Sequence, residues 1–312
     1  MKILILSPHP IESPGPRFRI YQYLPYFKQA GIEYKISAFL NSTEYMNIYN
    51  GPVTSFLEKA IAAIKGVSRQ IHAITDIKSY DVVIVYREAM LFGRPWIERY
   101  IAKKGIPIIF DFDDAIWMPV KSQTGISPIL KRLIKSTKKF DEIMKLSTHV
   151  VAGNNYLAQH AQLLNKHVSV IPTVVDTDYY KPVEGTKEQE KKLVIGWIGS
   201  GSTSVYLKLL DNIWKQLKSS SLSKRNDADV LSPSFVKEGQ GEFEYPVLPS
   251  AVHPFTKGEL NDALILKVIG GVYTPDGIQT TNVRWSLDTE LAGMAEFDIG
   301  IMPLPDDEWA KG

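Results

Sequence analysis

The sequence predicts an α/β protein made of doubly wound parallel sheets, and three observations carry that expectation. Short apolar runs alternate with helix-periodic segments through the first half. The apolar runs are continuous, as in Ile3 to Leu6, which suits strands covered on both faces. A polar stretch, "DTDYYKPVEGTKEQEKK" from Asp176 to Lys192, then separates this series from a second strand-glycine-helix unit opening at "LVIGWIG".

The elements follow in order. Ile3 to Leu6 is the first strand. Phe18 to Ala30 reads as a helix interrupted by Pro25 and stopped by Gly31. Tyr34 to Phe39 is the second strand. Val53, Phe56, Leu57, Ala60, Ile61, Ile64 and Val67 recur at helical spacing and predict a long amphipathic helix. "DVVIVY" from Asp81 is a strand, Trp96 to Ile101 a helix, and "PIIFDFDD" from Pro107 a strand ending in acids. Ile129 to Met144 is a helix, and "HVVAGN" and "VSVIP" complete the first sheet. In the second domain, Val205 to Leu217 predicts a helix, and Ser219 to Asp262 shows no period and reads as an irregular insert. "ALILKVIGG", "TNVRWS", a short helix near Leu287 to Ala295 and "FDIGIMP" follow. The predicted organisation is therefore 1–175, a linker 176–192, and a partial second domain 193–312 with its insert at 219–262.

With 312 residues, two domains are the expectation. Thirty-six basic and 34 acidic residues leave a net charge of +2, so no global field draws the chain to nucleic acid. The absence of cysteine excludes disulfides and thiolate metal sites, and fits a reducing compartment. "MKILILSPHP" lacks a signal-peptide pattern, and no stretch nears the ~20 apolar residues of a membrane span. A cytoplasmic protein is expected.

Four places carry chemistry. The loop Gly199-Ser200-Gly201-Ser202-Thr203 lies between a strand and a helix, where backbone amides favour phosphate oxygens. Ser204 stands where a dinucleotide fingerprint has its third glycine, so a nicotinamide cofactor, a nucleotide-sugar and a ligand-free turn all remain open on this stretch. "SPGPRFR" after the first strand offers Gly15 for close approach and Arg17 and Arg19 to face an anion. "DFDDAIW" gathers Asp111, Asp113 and Asp114 at the carboxyl end of a strand, where ligands of such sheets sit. Strand alternation points Asp111 and Asp113 to one face. No histidine or further acid lies nearby to complete a metal set, so general-base work is the expectation. His9, His149 and His160 are isolated and read as structural. In "PILKRLIKSTKKFDEIMK", the basic side chains Lys131, Arg132, Lys135, Lys138 and Lys139 surround an apolar stripe. They read as a solvated face, and the helix 129–145 is a candidate for peripheral contact with anionic lipid at the inner face of the cell membrane.

Taken in order, "GPRFRIYQYLPYFKQAGIEYKI", "DFDDAIW", "VVAGNNYLAQHA", "VSVIPTVVDTDYYKP", "LVIGWIGS" and "EFDIGIMPLPDDEWAKG" resemble the retaining glycosyltransferases of family 4, which have the GT-B fold. The resemblance covers most of the chain outside about 219–262. It implies two Rossmann-like domains, the second one incomplete here, and transfer of a sugar from a UDP- or GDP-linked donor to a hydroxyl of a glycan or glycolipid, without a cofactor or metal. It places Gly199, Ser200, Gly201, Ser202 and Thr203 against the donor diphosphate, with Gly15 and Arg17 approaching from the other wall. Asp113 and Asp114 become the catalytic candidates, and Asp111, Arg87 and Glu88 the acceptor side. Asp113 stands where many members carry a histidine, Ser200 where an arginine is usual, and Val205 near a usual lysine. The family's acidic donor-binding stretch would begin near Gly312, so the chain reads as a fragment of doubtful activity. A nucleotide-sugar epimerase on the same scaffold and a non-catalytic nucleotide-sugar-binding protein are the alternatives.

Overall fold

The computed structural model describes residues 1–51, 54–118, 138–181, 192–201, 203–222, 264–306 and 310. The insert beyond residue 222, most of the linker, Ser202 and the basic segment before Lys138 lie outside the described residues. The chain forms two compact units. One comprises Met1–Glu184, Arg284–Leu291 and Leu304–Gly312; the other comprises Gly185–Val283 and Ala292–Pro303.

The first unit centres on six parallel strands: β1 (Lys2–Ser7), β2 (Glu33–Ala38), β3 (Val82–Tyr86), β4 (Ile108–Phe112), β5 (His149–Ala152) and β6 (Val168–Val170), in the order β2-β1-β3-β4-β5-β6. Leu4, Ile5, Leu6, Val83, Val85, Phe110 and Phe112 are fully buried, because helices cover both faces of the sheet. The strand order reverses between β1 and β3, and their carboxyl ends form the switch point where such sheets hold ligands.

The predicted first helix is divided. It begins earlier, as α1 (Pro14–Arg19), breaks at Ile20, passes through a 3-10 turn at Tyr21–Tyr23 and resumes as α2 (Leu24–Gln29). Pro14 and Pro25 each sit in a first turn, where the missing N–H is not needed. Gly31 follows at φ +67°, a left-handed stop. A short helix α3 (Ser42–Tyr45) precedes α4 (Phe56–Ala73), and both open with a capping box, Asn41 with Glu44 and Ser55 with Glu58. Helix α4 packs by three small residues and one glutamine, Gln70, which donates to the Ser37 carbonyl at 3.1 Å. It buries Ala62, Gly66, Gln70 and Ala73, and an added Cβ at Gly66 would stand 2.7 Å from the Phe39 ring and carbonyl oxygen. α5 (Trp96–Lys103), α6 (Lys138–Leu146) and α7 (Asn155–Gln162) complete the layers.

The second unit holds four parallel strands, β7 (Leu193–Ile198), β8 (Leu264–Ile269), β9 (Gln279–Val283) and β10 (Ile299–Gly300), in the order β10-β7-β8-β9. Its core is Trp197, Leu207, Trp214, Leu266, Val268 and Tyr273. The helix expected at Val205 to Leu217 is instead a 3-10 segment, Ser204–Leu210, followed by α8 (Asp211–Leu222). α9 (Glu290–Ala295) precedes β10. No described helix is long and apolar enough to cross a membrane.

Candidate functional site

In the first unit the predicted residues converge at the carboxyl ends of β3 and β4. β4 delivers Asp111 from its buried run, and Asp113 and Asp114 follow immediately. Parallel pairing sets Tyr86 beside Asp111, and the Arg87 amide donates to the Asp111 carbonyl at 2.8 Å. Arg87 adopts φ +57°, an uncommon conformation for a residue with a side chain, and its guanidinium pairs with Asp114 at 2.7 Å.

Tyr86 is fully buried and its hydroxyl donates to Asp113 at 2.7 Å. Burial and the adjacent Asp113 carboxylate hold the phenol well above its ordinary value, so it stays a donor at neutral pH. Burial also pushes Asp113 upward; Arg87 opposes this and the like charge of Asp114 adds to it. Gly153 packs on the Asp113 backbone, where a Cβ would lie 3.1 Å from Cα. The result is a half-buried carboxylate with one fixed donor and a raised proton affinity, which suits it to accept a hydroxyl proton.

Asp111 serves the fold itself. Arg19 reaches it with Nε at 2.9 Å and Nη2 at 2.7 Å, and also donates to the Ile171 carbonyl. Burial lifts the Asp111 carboxyl to about 6, against the pull of Arg19. Arg19, expected to face an anion from outside, therefore meets one inside the protein. Glu88, expected on the acceptor side, turns into the interior, where Lys139 binds it at 2.9 Å and the Met90 carbonyl at 2.5 Å. This corrects the expectation for Lys139 as well. That lysine is buried rather than on a solvated basic face, because it neutralises Glu88. His160 stacks on Trp117 at 3.9 Å and meets Asp141 at 3.0 Å.

Gly15 permits a close approach, but what approaches is Tyr86. A Cβ there would overlap the phenol oxygen and stand 3.0 Å from Cζ. Arg17 is buried, with Nη2 on both oxygens of Glu290 at 3.2 and 2.9 Å and its plane over Phe18 and Trp285. Glu290 also accepts from Tyr180 at 3.1 Å and from the Trp285 indole at 2.6 Å. Among the described residues, Nε and Nη1 of Arg17 have no hydrogen-bond partner. Sequence reasoning missed Tyr86 and Glu290. Tyr86 closes "DVVIVY" at the predicted ligand end, which was an available signal; Glu290 offered none.

In the second unit the glycine loop follows β7 at the corresponding switch point, between β10 and β7. Gly199 lies against the Trp197 indole, where a Cβ would come within 2.5 Å, whereas Gly201 opens on free space. Several loop amides bond within the protein. Gly199 donates to the Ile269 carbonyl, Ser200 to Thr203 Oγ1, and both Thr203 and Ser204 to the Ser200 carbonyl. The loop is therefore preformed by its own side chains. Ser202 lies outside the described residues. Among the described residues no three acid or histidine side chains are grouped to hold a metal ion.

The two parallel-sheet units, each with loop-borne polar groups at a switch point, define an α/β protein of the GT-B class. In fold the chain is similar to a UDP-forming α,α-trehalose-phosphate synthase from Burkholderia xenovorans, at 12% identity and a TM-score of 0.53, covering 97% of this chain and 78% of that one. It is also similar to an α,α-trehalose 6-phosphate synthase from Burkholderia multivorans, at 10% identity and a TM-score of 0.51, covering 98% and 78%. These likenesses establish the fold. No protein-family model and no curated protein matches the chain.

Proposed function

We propose that this protein is a glycosyltransferase that moves a sugar from a nucleoside-diphosphate donor to a hydroxyl acceptor, by the retaining chemistry of family 4. The observation that carries the proposal is Asp113. It is an acid of raised proton affinity at the carboxyl end of β4, next to the switch-point strand β3, held by Tyr86 and flanked by Asp114 and Arg87. In the proposed role Asp113 orients the acceptor hydroxyl and takes its proton as the acceptor oxygen bonds to the anomeric carbon. The bond from that carbon to the diphosphate breaks on the same face, as retention requires, and the diphosphate leaves with the electron pair. Asp114 and Arg87 hold the acceptor side.

In this reading the glycine loop receives the diphosphate at Gly201, where it opens on free space. The GT-B fold shared with UDP-forming trehalose-phosphate synthases favours a nucleotide-sugar donor. A soluble, cytoplasmic enzyme of polysaccharide or glycolipid synthesis is the setting proposed.

The test is incubation with UDP-, GDP- and TDP-sugars and an acceptor panel, reading nucleotide release. Release that depends on acceptor is expected, and product from donor alone would indicate an epimerase. Asp113→Asn should lower turnover while calorimetric nucleotide affinity stays unchanged. Silence across the donor panel, or equal loss of affinity and turnover in the variant, overturns the assignment.

A further inference from the structure

Helix α4 buries the wrong face for an ordinary amphipathic helix. Ala62, Gly66 and Ala73, together with Gln70 bonded to the Ser37 carbonyl, face the sheet, and its large aliphatics face outward. Leu57 is 68% exposed, Ile61 43%, Ile64 70% and Ile71 44%, and neighbouring Phe56 is 88% exposed. At about 100° per residue, this row lies diametrically opposite the buried row. The positions 57, 61, 64, 68 and 71 step by four and three alternately, which is the spacing of a coiled-coil seam, with Ser68 the polar member. One flank of the seam is charged, with Glu58, Lys65 and His72; the other is apolar, with Ala60 and Val67.

We propose that α4 is a dimerisation helix that pairs antiparallel with α4 of a second copy of this chain. Three features select a second copy. The row is self-complementary: in an antiparallel pair 57 faces 68 of the partner copy, and 61 faces 64. The same register brings Glu58 of one copy beside Lys65 of the other, and Ala60 beside Val67, so charge meets opposite charge on one flank and apolar meets apolar on the other. The exposed apolar row is also large. It presents on the order of 500 Å², near the upper end for a monomer surface. It runs along a helix about 27 Å long.

The experiment uses the full chain in sedimentation velocity from roughly 1 to 100 μM, the range of ordinary protein association. Wild type should sediment as a dimer. Ile64→Glu places a carboxylate against each Ile61 of the partner copy. It should weaken association by roughly 100-fold or more, with unchanged circular dichroism and melting temperature. The cysteine-free background allows a register test with Leu57→Cys/Ser68→Cys. These positions stand about 16 Å apart along one helix, so they can join only between copies. Oxidation should yield a covalent dimer from the double variant and none from either single variant. A wild type that stays monomeric at the top concentration overturns the proposal, as does a dimer indifferent to Ile64→Glu, or equal cross-linking by the single variants. A monomer that binds anionic phospholipid vesicles in an Ile64-dependent way overturns it too, and assigns the face to a membrane. Nucleotide-sugar turnover plays no part in these readouts.

Discussion

Replacing Gly15 by alanine should unfasten the Asp113 carboxylate through a residue that never touches it. The added Cβ overlaps the Tyr86 hydroxyl, and the tyrosine has nowhere to go, being fully buried between α1 and the sheet. Forcing a methyl into packed space costs about 1–3 kcal/mol. Displacing the phenol also breaks its 2.7 Å bond to Asp113, and a hydrogen bond to a charged group contributes about 1.5–3 kcal/mol. Alanine returns up to about 1 kcal/mol through helix propensity. The net loss should be about 3 kcal/mol, a large fraction of the about 5–15 kcal/mol that holds a domain. Native-state hydrogen exchange at the β3 and β4 amides reports this unit alone. Tyr86→Phe supplies the control. Without the hydroxyl, the nearest ring atom stands 3.0 Å from the new methyl, so Gly15→Ala should cost about 1 kcal/mol or less in that background. Equal costs in the two backgrounds would refute the reasoning.

Two further outcomes follow from buried charge. Lys139→Met leaves Glu88 buried without its counter-ion and should cost about 3–5 kcal/mol in urea unfolding of the first unit; a change under about 1 kcal/mol would mean that Glu88 finds another partner. Glu98 is fully buried, with Oε1 accepting from the Ala89 amide, Oε2 unpartnered among the described residues, and Lys139 and Glu88 facing it. Burial raises its proton affinity, so the folded chain holds a proton that the unfolded chain releases at about 4.5. Its contribution to stability is therefore greatest in acid and falls as pH rises through the folded value. Glu98→Gln should flatten that fall and be the more stable protein at neutral pH. An identical pH profile in wild type and variant would contradict this.

The parallel sheets were legible because their strands are covered on both faces and read as unbroken apolar runs, as in Ile3 to Leu6 and "DVVIVY". Gly31 and Pro25 punctuated the chain as their backbone preferences demand. Helix α4 shows where pattern misleads: periodicity identified the helix, but hydrophobicity could not say that Phe39 admits only Gly66 and its small neighbours. Gly15 announced a close approach without naming the visitor. The acid cluster at Asp111 to Asp114 was found by its position at a strand end. The division of labour within it, Asp111 tied into the fold and Asp113 proposed for the site, depends on Arg19 and Tyr86, which are remote in sequence.

The clasp on Arg17 bears on how the protein comes off the ribosome. Arg17 is among the first residues made, yet its carboxylate arrives 273 positions later, with Trp285 just before it. Arg19 waits 92 positions for Asp111 and 152 for the Ile171 carbonyl. The N-terminal sheet can therefore assemble early but closes over Arg17 only after residues 185–283 of the other unit have been translated. A piece ending at Glu184 would leave that guanidinium beside Phe18 without counter-charge, so the first unit is not a self-sufficient stretch of chain.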